Sequence, residues 1–216
     1  MAVYFLDEND DWFPAAEYAE EDGLLAAGGD LTPKRLLAAY RLGIFPWYQE
    51  GGPILWWCPH SRYVIIPSEI HVSASMAKLM RKTALRVSFD EDFAAVIHHC
   101  RILREDKEGT WITDAMEEAY RVLHRMGYAH SVEVWEEKEL VGGLYGVRLG
   151  KSFFGESMFS LRSNASKLAL ISLARQLESE GAKMIDCQFR TEHLESMGGK
   201  YITYEQYINN IESGMQ

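Results

Sequence analysis

Asp186 and Gln188, in the stretch "KMIDCQFR" (residues 183–190), are the polar side chains most out of place if that stretch is a strand in a core. Side chains alternate along a strand, so Asp186 and Gln188 share one face while Ile185 and Cys187 share the other. A carboxylate beside an amide is costly in an apolar interior unless both are hydrogen-bonded. Such a pair is either a satisfied structural cluster or the centre of a reaction, and the residues alone leave both open. Glu156, in "FFGESMFS" (153–160), is a second carboxylate, flanked by Gly, Ser and aromatics, where a specific partner is expected. A regular strand there puts Phe153, Gly155 and Ser157 on one face and Phe154, Glu156 and Met158 on the other. A bulge near Gly155 would mix the faces.

Other chemistries have weaker support. His98-His99-Cys100 places neighbours about 100° apart around a helix, poor geometry for one metal ion. His193-Leu194-Glu195 has the H-x-E form, but no P-C-x-x-C follows to complete a deaminase zinc site. No C-x-x-C, G-x-S-x-G or Walker stretch occurs, so no metal site is expected.

Regular elements must position these residues, and most lie beyond residue 61. "RYVIIP" reads as a strand, 73–82 as a helix and "LRVSF" (85–89) as a strand. Asp90 is placed as the cap of a helix carrying Phe93, Val96, Ile97 and Cys100 on one face. A helix over 113–126 ends at Gly127, and "AHSVEVW" (129–135) is a strand. Two antiparallel strands hinged at Leu149-Gly150 follow, then a helix over 165–180 capped by Asn164 or Ser163, the 183–190 strand, and a final helix near 203–212. The order β-β-β-α-β is that of the N-acetyltransferase fold and of related aminoacyl transferases. The coenzyme A loop of N-acetyltransferases is missing, because no glycine occurs from Ser157 through Glu180 to cradle a pyrophosphate. The first 61 residues are irregular and rich in Gly, Pro and aromatics, with one helix capped by Thr32 and opened by Pro33. The expected fold is therefore α+β, a small N-terminal domain (1–61) packed on an acyltransferase-like, GNAT-like domain (62–216). Its sheet is expected to be central, mostly antiparallel and flanked by helices.

Of the 216 residues, 47% are hydrophobic, ample for a packed core. No apolar run approaches the roughly 20 residues of a membrane span, and "MAVYFLDENDDWF" lacks the pattern of a signal peptide. Three widely spaced cysteines, Cys58, Cys100 and Cys187, read as free thiols in a reducing compartment, so a cytoplasmic location is expected. The net charge of −10 counts against a nucleic-acid partner, but its distribution is uneven. Residues 1–61 hold three Lys/Arg against ten Asp/Glu, whereas no carboxylate lies between Glu69 and Asp90. Lys78, Arg81, Lys82 and Arg86 fall in that gap, as a solvated helix face or as a strip for phosphates.

The segments "GGDLTPKRLLAAYRLGIFPWY", "PILWWCP", "GTWIT", "AHSVEVW", "ELVGGLYGV", "FGESMFS", "NASK" and "IDCQ" occur in this order. Together, from about Gly23 to Gln188, they resemble the leucyl/phenylalanyl-tRNA–protein transferases of bacteria. The resemblance implies transfer of leucine or phenylalanine from aminoacyl-tRNA to the α-amino group of proteins beginning with Arg or Lys, marking them for N-end rule degradation. The implied partners are leucyl-tRNA, phenylalanyl-tRNA and such acceptor proteins, with no cofactor and no membrane. It further implies that Asp186 and Gln188 act on the attacking amine. It assigns Leu144, Phe153, Met158, Leu170, Leu173 and Ile185 to an apolar pocket for the aminoacyl side chain. Glu156 is implied near the aminoacyl end, holding its amino group or the incoming N-terminus. Trp47 and Trp111, and less strongly Tyr120, match the surface that stacks the 3′-terminal adenine, with domain-interface packing as the alternative. Lys78, Arg81, Lys82 and Arg86 would hold tRNA backbone. Ile185 sits uneasily here, since alternation turns it away from Asp186 and Gln188.

Overall fold

The computed structural model describes residues 3–108 and 112–215. The chain runs β1 (Tyr4–Leu6), β2 (Leu24–Gly28), α1 (Pro33–Arg41), β3 (Phe45–Pro46), β4 (Leu55–Trp57), β5 (Ser61–Ile65), α2 (Ala74–Lys82), β6 (Arg86–Phe89), α3 (Phe93–Glu108) and α4 (Asp114–Arg125). It continues β7 (Ala129–Glu136), β8 (Glu139–Leu149), β9 (Ser152–Ser160), α5 (Ala165–Ser179), β10 (Met184–Asp186), α6 (Glu192–Ser196), β11 (Lys200–Thr203) and α7 (Tyr204–Met215). A four-stranded sheet of order β1-β2-β4-β3 precedes a seven-stranded sheet of order β11-β5-β10-β9-β8-β7-β6. The larger sheet is antiparallel except for the β9–β10 pair, which the α5 crossover makes parallel.

Two apolar clusters cover the larger sheet. One joins α1, α3, α4, α7 and the smaller sheet. The other lies under α5. α1 is capped as expected, Thr32 Oγ1 accepting the Arg35 N–H at 3.4 Å with Pro33 in the first turn. Ser73 and Thr113 cap α2 and α4 in the same way.

Three expectations change, and one alternative left open is decided. Asp90 does not cap α3; it takes φ 55° and binds the Ser131 N–H, while Asp92 accepts from Ala95 as the cap. Asn164 precedes α5 with φ 69° and makes no side-chain cap bond. The 183–190 strand is only three residues long. Lastly, β9 is bulged: Tyr145 pairs with Ser157 and Gly146 with Gly155, leaving Glu156 as the extra residue. The bulge resets the alternation, so Met158, paired with Leu144, joins the α5-side cluster that holds Phe153, rather than the face of Phe154. Gly146 is needed opposite it, because a Cβ there would lie 2.2 Å from the Phe154 carbonyl oxygen.

Candidate active site

β10 stops at Asp186 because that carboxylate redirects the backbone. Asp186 Oδ1 accepts the Gln188 N–H at 2.9 Å, an Asx-type turn. The Phe189 N–H then reaches the Cys187 carbonyl at 2.6 Å across Gln188, which takes φ 55°. A three-residue turn with positive φ at a non-Gly residue is rare and costs about 1–3 kcal/mol. Gln188 is held in it from both sides, since its carbonyl also accepts from Tyr63 at 3.4 Å. The shared face expected from simple alternation is thus replaced: Asp186 holds Gln188 through the backbone.

Asp186 is itself fully buried and fully engaged. Arg62 Nε donates to Asp186 Oδ1 at 3.1 Å, and Arg62 Nη2 to Oδ2 at 2.8 Å. The Tyr207 hydroxyl donates to Oδ2 at 2.8 Å and accepts from Arg62 Nη2 at 2.8 Å. Arg62 is also buried, its guanidinium over the rings of Phe45 and Tyr207 at 4.9 and 4.5 Å. Burial works against the Arg62 charge, but the Asp186 carboxylate outweighs it and raises the guanidinium pKa. Tyr207 reaches from α7 across Gly43, where a Cβ would meet its ring at 2.5 Å, so the turn after α1 is shaped to admit it. Arg62 and Tyr207 were not picked out from the sequence. The signal available was an arginine two residues before Val64 in "RYVII", on a face that must be buried.

Glu156, projected by the bulge, meets two tyrosines. Tyr40 on α1 and Tyr120 on α4 donate to its two carboxylate oxygens at 2.7 and 3.0 Å, and their hydroxyls touch each other at 2.5 Å. Burial pushes the Glu156 carboxyl up to about 7, against the two tyrosine hydrogen bonds that lower it. Both tyrosine hydroxyls are raised well above their usual range, first by burial and then by the neighbouring carboxylate. Tyr120 is fully buried, its ring edge-on to Tyr145, so it offers no face for stacking a base and is corrected to a Glu156 partner. Tyr40 was also missed, although its place among the apolar residues of "LLAAYRL" marks it as inward-facing.

Leu144, Phe153, Leu170, Leu173 and Ile185 all belong to the α5-side cluster, with Met158 packed against it. Ile185 pairs with Phe153 on that face, while Asp186, paired with Phe154, faces the other cluster. Beyond Phe154 and Asp186 the two strands part, β9 running on to Ser160 while β10 turns at Gln188. Both faces border this gap, so Ile185 can line an apolar pocket while its neighbour faces the polar cluster.

Trp47 is 41% exposed and Phe189 40%, with ring centroids 5.6 Å apart. Trp57 supports Trp47 from behind at 5.6 Å and donates its Nε1–H to the Trp47 carbonyl at 2.7 Å. An aromatic surface therefore adjoins Gln188 directly; Phe189 was missed because the sequence reading continued the strand through it. Trp111 lies outside the described residues. Lys78, Arg81 and Lys82 are exposed along α2, and among the described residues none is ion-paired. Arg86 differs: its guanidinium is held by both oxygens of Glu91 and lies 5.2 Å over Trp135. That engagement removes it from the free basic strip.

The chain matches the family model for leucyl/phenylalanyl-tRNA protein transferase over residues 64–212, and the model for that protein's N-terminal domain over 29–60. It is 55% identical to a leucyl/phenylalanyl-tRNA–protein transferase of Pseudomonas fluorescens, covering 96% of this chain and 92% of the relative. The namesake proteins of Syntrophus aciditrophicus and Pseudomonas aeruginosa are 54% and 51% identical, covering 94% and 96% of this chain and 86% and 93% of theirs. Among solved structures, an aminoglycoside acetyltransferase from a soil metagenome aligns over 46% of this chain and 73% of its own at 16% identity, with a TM-score of 0.37. L-PGS from Bacillus licheniformis aligns over 80% of this chain and 57% of its own at 11% identity, with a TM-score of 0.43. By its two family models and its full-length relatives, this chain belongs to the leucyl/phenylalanyl-tRNA–protein transferase family, enzymes that move aminoacyl groups from tRNA to proteins.

Proposed function

We propose that this enzyme transfers leucine or phenylalanine from the 3′ end of leucyl-tRNA or phenylalanyl-tRNA to the α-amino group of proteins whose first residue is Arg or Lys, marking them for N-end rule degradation. Among the described residues no helix is long and apolar enough to cross a membrane, and the proposed site of action is the cytoplasm. The change of sheet between β4 and β5 supports a boundary at residue 61 between a small N-terminal domain and the transferase domain. The observation that carries the mechanism is the turn at Gln188, fixed by a carboxylate that has no capacity left for a second task.

The reaction is aminolysis of an ester. The acceptor nitrogen attacks the ester carbonyl carbon, the C–N bond forms, the bond to the ribose oxygen breaks, and the amine proton ends on that oxygen. An α-amino group titrates at about 7.7–8.0, so a useful fraction is neutral and no strong base is required. Gln188 hydrogen-bonds and orients the attacking amine, and much of the rate comes from this positioning. Asp186 accepts four donors, from Arg62, Tyr207 and the Gln188 backbone. That engagement supports a positioning role for Asp186 rather than proton abstraction. Glu156 holds an ammonium group, either that of the aminoacyl ester or that of the acceptor. Leu144, Phe153, Met158, Leu170, Leu173 and Ile185 receive the aminoacyl side chain, Trp47 stacks the terminal adenine, and Lys78, Arg81 and Lys82 hold tRNA phosphates.

The test incubates radiolabelled leucyl-tRNA with a peptide beginning with Arg and with the same peptide beginning with Ala. Label should reach the α-amine of the first peptide alone. No transfer to either would sink the reading, and equal transfer would remove the acceptor rule.

A further inference from the structure

The residues proposed to receive the aminoacyl side chain are already packed against one another. Leu144, Phe153, Leu170, Leu173 and Ile185 are each no more than 5% exposed. Protein interiors are as dense as organic crystals, so neither an isobutyl nor a benzyl group enters such a cluster unless a wall residue moves. A cavity of about 150 Å³ touches two of these walls, Phe153 and Leu173. Val132 and Leu177, on β7 and α5, close it on the apolar side. Its mouth is polar: His130 sits on Asp90 at 2.8 Å, and Arg148 is paired with Glu180. An apolar ligand has no welcoming entrance there. The cavity opens to solvent past Asp90, His130, Arg148 and Gln176, so no packed atoms fill it, and it lies where two pocket walls can retreat.

We propose that this cavity is the room into which Phe153 and Leu173 withdraw when the aminoacyl side chain binds. It therefore sets how well the bulkier phenylalanyl group is used relative to leucyl. The inference rests on the reading that these residues receive the aminoacyl side chain. Leucyl needs a small withdrawal and phenylalanyl a larger one, so filling the void from behind penalises phenylalanyl selectively.

The experiment presents leucyl-tRNA and phenylalanyl-tRNA in competition to one Arg-initiated peptide and reads the product ratio. Leu177→Phe and Val132→Ile, which add volume to the void, should lower the phenylalanyl-to-leucyl ratio by about tenfold or more for the larger filler, the scale on which apolar pockets sort substrates by size. Leucyl transfer should stay within about twofold. Leu177→Ala, which enlarges the void, should raise the ratio. An unchanged ratio in the fillers, or equal loss of both products, overturns the proposal while leaving the transferase reading intact. Failure of the unmutated enzyme to use either tRNA defeats the underlying reading instead. Thermal melting identifies any variant that fails to fold. A structure with a non-hydrolysable phenylalanyl-adenosine analogue gives a measurement free of that complication: Phe153 should be displaced toward Leu177, and an unmoved ring overturns the proposal.

Discussion

Asp186 grips Gln188 by its backbone, Oδ1 accepting the N–H two residues on at 2.9 Å, while Arg62 and Tyr207 hold the same carboxylate from the other side. Two effects of Asp186→Ala follow, and they are separable. Removing the partner of a buried guanidinium costs about 3–5 kcal/mol of stability. Releasing the strained turn costs transfer, with little change in aminoacyl-tRNA binding. The double variant Arg62→Leu/Asp186→Ala should therefore recover much of the stability without recovering transfer, as measured by thermal denaturation and single-turnover kinetics. Joint recovery would make Asp186 purely structural.

Tyr207→Phe keeps the ring against Gly43 and removes only the hydroxyl that donates to Asp186 and accepts from Arg62. Loss of a buried hydrogen bond to charged partners costs about 1.5–3 kcal/mol. If the network acts by orienting the amine, kcat should fall about tenfold with KM for aminoacyl-tRNA unchanged. An unchanged kcat would confine Tyr207 to packing.

How much of this was legible in the sequence depended on range. Most helices and the β7–β8–β9 meander follow local patterns and glycine stops, and the structure repeats them within a few residues, whereas Asp90 and Asn164 do not cap and α6 has no counterpart in the sequence reading. Asp186, Gln188 and Glu156 stood out as polar groups in apolar strands. Their partners did not, because Arg62 is 124 residues from Asp186 and Tyr40 is 116 from Glu156, separations that no local periodicity encodes. The β10 terminus was misjudged for a related reason. "MIDCQF" has the apolar content of a strand, but a side chain bonding its own backbone ends it, and that choice depends on Arg62 and Tyr207 fixing the carboxylate. The bulge at Glu156 had a visible trigger in Gly155, but its consequence, moving Met158 to the face of Phe153, appears only with the β8 register.

Glu156 predicts a pH-dependent stability. Burial raises its carboxyl from 4.5 to about 7, so between those values the folded protein binds more protons than the unfolded chain. Stability from this group is therefore lost as pH rises through that window, by a total on the order of 3 kcal/mol. Glu156→Gln removes the ionisation while leaving an oxygen to accept from Tyr40 or Tyr120. Denaturant unfolding at pH 5 and pH 8 should show the variant gaining on the unmutated protein as pH rises. A constant difference would show that Glu156 ionises at its ordinary pKa.

Trp47 and Phe189 form the exposed aromatic surface beside Gln188, and stacking a base is worth about 1–3 kcal/mol. Trp47→Ala should weaken binding of a 3′-aminoacyl-adenosine analogue about tenfold or more, measured by calorimetry. Tyr120→Phe should leave that affinity nearly unchanged, because the ring is buried and only its hydroxyl serves Glu156. A larger loss from Tyr120→Phe than from Trp47→Ala would place the base elsewhere.

The charge strip divides by engagement. Lys78, Arg81 and Lys82 are exposed on α2, whereas Arg86 is occupied by Glu91 and Trp135. Each phosphate contact contributes roughly 0.7–0.9 to the slope of log affinity against log salt. Replacing all three α2 cations with Ala should flatten that slope by roughly 2 and leave the affinity for a minimal aminoacyl-adenosine untouched, since the minimal substrate lacks the tRNA body. Arg86→Ala should leave the slope where it was, because its guanidinium is held by Glu91 and Trp135 and is not offered to a phosphate. Filter binding of aminoacyl-tRNA between 50 and 200 mM salt, compared with the minimal analogue, separates the two. A slope insensitive to the triple substitution would move the tRNA body off α2, and with the N-terminal 61 residues so acidic, the contact would then have to be sought elsewhere on the larger domain.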